Sequence, residues 1–333
     1  MSDAALVVVV AIALAFDFTN GFHDTANAVA TSVSTRALSP RTAVLIAAIM
    51  NFLGAFTSTK VAKTVGGGLI STEPGFVTAH LLFAALAGAI VWNLLTWRLG
   101  LPSSSTHALI GGLLGAALAR GGHDPVDWSN LWNKTIWPGI ASPFIGFLIA
   151  GLLMVAILWA FRRVRPAPLN RGFRILQIAS GSFLAFAHGT NDAQKTMGVI
   201  ALALYAAGHS SSPADIPTWV IASAAASMAA GTYIGGWRIM RTMGTRIFKL
   251  RPPQGFAAQV TASGVLYTVA TKYGFPVSTT HVISGSVMGA GATTKMSAVR
   301  WGVAADIVGA WLLTIPAAAS VAAILYALLS LIF

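Results

Sequence analysis

Eight stretches of the chain, at residues 4–20, 41–58, 76–97, 140–161, 175–190, 217–236, 255–272 and 301–332, are apolar over the length of about 17 to 25 residues needed to cross a bilayer. Lipid offers the backbone no hydrogen-bond partner, so such segments cross as α-helices that satisfy their own N–H and C=O groups. Only 9% of the 333 residues are charged, against roughly 25% in soluble chains. An all-α integral membrane protein is expected. Four shorter apolar pieces, at 24–35, 107–119, 192–207 and 281–293, cannot cross alone. Each begins at a polar motif and reads as a half-helix or one arm of a hairpin. The first run, from Ala4 to Phe18, lacks a basic leader and reads as a retained helix rather than a signal peptide. Cysteine is absent, which excludes disulfides, thiolate catalysis and Cys-based metal sites.

The polar motifs come in pairs. Asn20–Ala30 reads NGFHDTANAVA, and His188–Met197 reads HGTNDAQKTM, with Gly21 and Asp24 matched by Gly189 and Asp192. Gly100–Gly115 reads GLPSSSTHALIGGLLG, and Gly274–Gly289 reads GFPVSTTHVISGSVMG, matching without a gap at Gly, Pro, Ser, Thr, His and two later glycines. A weaker echo pairs Lys63-Thr64-Val65-Gly66 with Arg241-Thr242-Met243-Gly244. Three echoes in the same order mark an internal repeat. Residues 1–119 read as the first unit and 175–333 as the second. Residues 120–174 then supply a Trp-rich interfacial segment, a linking helix and a basic cytoplasmic loop.

The net charge of +12 would suggest nucleic acid in a soluble chain, but here the bases sit in short connections, where they set orientation. Arg162, Arg163, Arg165, Arg171 and Arg174 crowd one connection, and Arg238, Arg241, Arg246, Lys249 and Arg251 another. Both are expected to be cytoplasmic. Counting crossings back puts residues 60–75 outside, Arg36 and Arg41 inside, and both termini outside. Lys60–Thr72 and its counterpart Arg238–Arg251 then lie on opposite faces, so the charge pattern predicts an inverted repeat. Transporters are commonly built this way, with the site near the midplane where the halves meet.

Ser104, Ser105 and Thr106, and likewise Ser278, Thr279 and Thr280, follow a Gly-x-Pro turn and precede a short helix. Their hydroxyls are suited to cap that helix while free N–H groups point outward. Such ends bind anions, and two of them converging would enclose a tetrahedral oxyanion. Asp24 and Asp192 near an anion need cations or protons to offset repulsion. Asn20, Asn27 and Asn191, joined by Gln177, supply oxygen ligands for a hard cation. Asp192 also has Lys195 within ion-pair reach. His107 and His281 end the two hydroxyl clusters and are candidate proton relays, with His23 and His188 flanking the acids. Asp17 and Asp306 are intramembrane acids without repeat partners, each read as either a bundle-facing structural group or a proton site. A passive anion channel and a membrane hydrolase are the rival classes, the latter without an HExxH or GxSxG motif.

At these residues the chain resembles the inorganic phosphate transporter (PiT) family. The resemblance rests on NGFHDTANAVAT at Asn20–Thr31, HGTNDAQK at His188–Lys195 and the two Ser/Thr motifs, and it extends over essentially the whole chain. It implies an inverted-repeat transporter of about 12 membrane elements, including two helical hairpins with Ser/Thr-rich tips. It further implies external termini, a homodimer in the cell inner membrane, and low-affinity phosphate import by symport with Na⁺ or H⁺, with no tightly bound cofactor. Sodium-coupled members carry a Glu in the second helix where this chain has Asn51. That departure resembles the bacterial proton-coupled members, which take phosphate as a neutral complex with a divalent metal such as Mg²⁺. H⁺ coupling is therefore expected, with Asp24 and Asp192 as metal ligands. Sulfate permeases also occur in the family.

Overall fold

The computed structural model describes residues 1–332, and among them there is no β-strand, only an isolated bridge between Ile70 and Val126. In chain order the helices are α1 (Asp3–Ser34), α2 (Pro40–Gly54), α3 (Lys60–Gly67), α4 (Ala79–Leu99), α5 (Ser105–Gly121), α6 (Trp128–Leu131) and α7 (Trp137–Ala160). They continue as α8 (Pro166–Ala206), α9 (Thr218–Ile234), α10 (Trp237–Arg241), α11 (Pro252–Thr268), α12 (Thr279–Ala292) and α13 (Trp301–Ile332). Helices α1, α4, α13 and the run Trp128–Ala160 are each long and apolar enough to cross a bilayer. The large apolar side chains of α7 and α13 that point outward, such as Phe144, Leu148, Leu152, Leu312 and Leu331, suit contact with lipid.

Helices α1 and α8 form the centre. From Thr19 to Ser32 and from Ala187 to Leu204 every residue is buried, so these turns have neighbours on all sides. Helix α1 packs on α9, α4 and α8, and α8 on α11, α2 and α3. Helices α4 and α5 pack together and both meet α13; α11 and α12 pack together and both meet α7.

The closest approaches occur at glycine, where a missing side chain lets backbones touch. A Cβ at Gly21 would lie 2.4 Å from the Met228 carbonyl oxygen, and one at Gly231 2.1 Å from that of Phe18. Likewise, a Cβ at Gly189 would lie 2.1 Å from the Asn51 oxygen, and one at Gly54 2.1 Å from that of Phe186. The turns before the hydroxyl clusters also match, since Gly100 and Gly274 both sit at φ +68°, a left-handed conformation that favours glycine.

Three expectations need correction. The acidic motifs do not interrupt helices: α1 and α8 run unbroken through Asn20–Ala30 and His188–Met197. Neither motif contains proline, and Gly21 and Gly189 are held in helix by packing against a neighbouring backbone. Lys60–Thr72 is not a simple connection. Helix α3 buries Val61 and Val65, and the Gln194 side chain accepts its Val61 and Ala62 N–H groups at 2.8 and 3.2 Å. Asp306, finally, is exposed on α13 rather than turned into the bundle. The tryptophans Trp128, Trp132 and Trp137 are exposed at 47%, 54% and 57%.

Candidate functional site

One face of α1 carries Asp17, Asn20, Asp24, Asn27 and Thr31, spaced by three and four residues, so they line up along the helix. Helix α8 presents His188, Asn191, Asp192 and Lys195 in the same way. The Asp24 carboxylate lies 2.9 Å from His23 Nδ1. The other His23 nitrogen is 3.0 Å from Thr96 Oγ1 and 3.3 Å from Ser103 Oγ, and the Ser103 hydroxyl donates to Thr96 at 2.8 Å. Asp192 is more heavily bonded. Its Oδ1 accepts from Lys195 Nζ at 2.5 Å, Asn191 Nδ2 at 2.7 Å and Thr279 Oγ1 at 3.2 Å. Its Oδ2 lies 3.1 Å from His188 Nε2, close but off the line of a hydrogen bond. The second His188 nitrogen is 3.1 Å from Asn51 Oδ1, and Asn51 Nδ2 donates to Thr232 at 2.9 Å. One ligand atom each from Asp24, His188 and Asp192 falls within 4.8 Å of the others, all three side chains being buried.

The hydroxyl clusters meet these residues. Ser104 Oγ accepts the His107 N–H at 3.1 Å and caps α5, and Ser278 Oγ accepts the His281 N–H at 3.3 Å and caps α12. The two caps hold each other reciprocally: Thr106 Oγ1 donates to the Val277 carbonyl at 3.3 Å, and Thr280 Oγ1 to the Ser103 carbonyl at 2.9 Å. Asn27 Nδ2 donates to Thr280 Oγ1 at 2.8 Å, and Asn191 Nδ2 to the Val277 carbonyl at 2.8 Å. The tip of α12 is thereby tied to both central helices. Ser105 Oγ, Asn27 Oδ1 and Asn191 Oδ1 are buried without a hydrogen-bond partner, which leaves one donor hydroxyl and two acceptors for a guest.

The structure therefore brings together Asp24, Asn27, Asn191, Asp192 and the six hydroxyl residues. His107 and His281 lie one turn into their helices and meet edge to face, with ring centroids 4.8 Å apart. His281 is also 3.1 Å from the Gly139 carbonyl oxygen through Nδ1 and packs on Trp311 at 4.0 Å. Gln177 does not join the cluster. It stands fifteen residues before Asp192 on one unbroken helix, roughly 22 Å along its axis, and bonds Thr35 instead. Thr96 and Asn51 buttress the site without having been singled out as ligands, and so does Ser103, the first hydroxyl of its tip, through His23 and Thr96. Thr96 and Asn51 were visible as polar interruptions of apolar runs, while Ser103 belongs to the hydroxyl cluster.

The sequence matches the phosphate transporter family over residues 20–322. The chain belongs to the phosphate transporter family. Among the members it resembles is a probable low-affinity inorganic phosphate transporter of Rhizobium meliloti (strain 1021), 50% identical over 322 residues, covering 96% of this chain and 95% of that one. Its counterpart in Bacillus subtilis (strain 168), of the same description, is 46% identical over 330 residues, covering 98% of each chain. A solved structure described as the sodium-dependent phosphate transporter superposes with a TM-score of 0.89 at 25% identity, covering 99% of this chain and 100% of that one. These family members are transporters by description rather than enzymes, and the apolar helices make this chain a multi-pass membrane protein.

Proposed function

We propose that this chain is a low-affinity inorganic phosphate importer working by secondary active symport. The observation that carries the reading is the meeting of two Ser-capped helix N-termini, tip to tip, beside the Asp24, His188 and Asp192 cluster. Free backbone N–H groups and the positive ends of two helix dipoles favour a tetrahedral oxyanion there. Ser104, Ser105, Thr106, Ser278, Thr279 and Thr280 hold phosphate in this reading. Asp24, Asn27, Asn191 and Asp192 hold the accompanying cation, and His107 and His281 serve as a proton-handling pair behind the tips. A divalent metal enters as part of the cargo. The oxygen-rich Asp24 and Asp192 pair suits a hard ion, with the Lys195 ammonium already on one Asp192 oxygen.

Residues 1–119 and 175–333 are the two inverted units of this reading, joined by 120–174, and α4–α5 and α11–α12 are its hairpins. Its support is the doubling of contacts. The partners of Gly21 and Gly231 recur as those of Gly189 and Gly54, and the Ser103, Thr106, Val277 and Thr280 bonds are reciprocal. Rocking of one unit on the other would open the tips to alternate faces. The assembly is a homodimer in the inner membrane with both termini outside.

H⁺ is the coupling ion we favour, because Asn51, a buried neutral amide bonded to Thr232 and facing His188, stands at the second-helix position where the resemblance gives sodium-coupled members a Glu. The Na⁺-coupled reading has its own support in the solved relative, described as sodium-dependent. Uptake of labelled phosphate into proteoliposomes decides between them. An inward H⁺ gradient, with Mg²⁺ present, is expected to drive accumulation. Accumulation driven by Na⁺ alone sinks the proton reading, entry without accumulation makes the protein a channel, and uptake of sulfate in place of phosphate changes the substrate.

A further inference from the structure

The matched acidic motifs differ at one position that changes charge. With Asp24 aligned on Asp192, Asn27 of α1 has Lys195 of α8 as its counterpart. Lys195 is the one buried lysine or arginine among the described residues, at 1% exposure, and its ammonium lies 2.5 Å from Asp192 Oδ1. Asn27 leaves its half without a permanently positive side chain, Asp24 having only the titratable His23, 2.9 Å away. Its Nδ2 is used on Thr280, while its Oδ1, at 1% residue exposure, has no hydrogen-bond partner. The Asp24 half therefore keeps a free carbonyl oxygen and a carboxylate near each other with no lysine among them.

A buried ion pair contributes little to stability compared with apolar packing, so stability is a weak reason for a lysine in this seam. Its electrostatic effect is large. Asp24 and Asp192 crowd within the 4.8 Å cluster, and an oxyanion beside them adds negative charge in a low-dielectric interior. Each half then needs a positive charge, and α8 already carries one.

Resting on the reading of Asp24 and Asp192 as the coupling site, we propose that Lys195 is a tethered counter-cation. It stands at Asp192 where a mobile cation would otherwise be required, and only the Asp24–Asn27 half takes an exchangeable one. Replacing Lys195 by the asparagine that the first half uses should turn the second half into a further site for a small hard cation with oxygen ligands.

The test uses the purified full-length protein at one fixed pH, in sodium chloride and in choline chloride. Without phosphate, Lys195→Asn is expected to gain a sodium-dependent rise in thermal midpoint larger than that of the wild type. With phosphate, its Kd in choline should exceed the wild-type value at least about tenfold, or about 1.4 kcal/mol, and recover as sodium is added. Lys195→Arg, which keeps the charge, should follow the wild type in both salts. The proposal is overturned if Lys195→Asn shows no added sodium stabilisation, or if phosphate binding is lost at every sodium concentration, the ammonium then being a phosphate ligand. It is equally overturned if Lys195→Arg behaves like Lys195→Asn, since packing and not charge would be the cause. Added sodium stabilisation with no phosphate binding by either protein would instead remove phosphate as the substrate and leave the tethered cation standing.

Discussion

Asp17 is fully enclosed, and neither carboxyl oxygen has a hydrogen-bond partner; both polar side-chain atoms of Asn20, one turn on, are likewise unpartnered. Lys195 answers Asp192 directly, whereas among the described residues no cation is bonded to Asp17. An unmet buried polar atom destabilises by about 1–3 kcal/mol, and a charged group by more. Asp17→Asn, nearly the same shape and unable to ionise, is therefore expected to raise the thermal midpoint in detergent. A lower midpoint would mean that the folded protein stabilises the carboxyl after all. Asp17 also shows where reading residues from sequence reaches its end. Asp24, Asp192 and the hydroxyl clusters stood out because each occurs twice, whereas the counterpart of Asp17 is Ala185, so its meaning depends on its neighbours. Gln177 failed for a related reason: its residue type suits a cation ligand, but its distance from Asp192 became fixed only once α8 was known to be unbroken.

At the scale of helices, the apolar runs were legible and the breaks between them were not. Polar letters at Asn20–Ala30 and His188–Met197 look like helix ends, yet burial inside a bundle lets a helix carry polar residues that its neighbours satisfy. The short helices α3 and α10 were hidden in stretches that read as connections, because their small apolar faces are too brief for periodicity to stand out. The glycines decide how closely the helices meet, and that gives a contrast within α8. A Cβ at Gly189 would meet the Asn51 carbonyl oxygen at 2.1 Å, whereas one at Gly172 would meet nothing within 4 Å. Gly189→Ala should cost about 1–3 kcal/mol or more through overpacking. Gly172→Ala should stabilise by roughly 0.5–1 kcal/mol through helix propensity. Thermal melts of the two variants side by side check both signs, and equal effects would mean that α2 and α8 do not approach as described.

For the whole molecule, the charge pattern and the packing bear on different properties. The doubled contacts at Gly21 and Gly189, and the reciprocal bonds of Thr106 and Thr280, favour two related halves, but they carry no information on which membrane face each loop occupies. Sidedness rests on the arginine-rich connections and the positive-inside rule. Because the chain lacks cysteine, single cysteines report on it without background. Arg163→Cys and Lys249→Cys test the two basic connections, and Glu73→Cys tests the connection assigned to the opposite face. In intact cells a membrane-impermeant maleimide should label Glu73→Cys alone; in inside-out vesicles it should label Arg163→Cys and Lys249→Cys and spare Glu73→Cys. Labelling of Glu73→Cys and Lys249→Cys from the same side would place the connections after α3 and after α10 on one face. The halves would then be parallel repeats, and two helix ends could no longer converge on one oxyanion from opposite sides of the membrane.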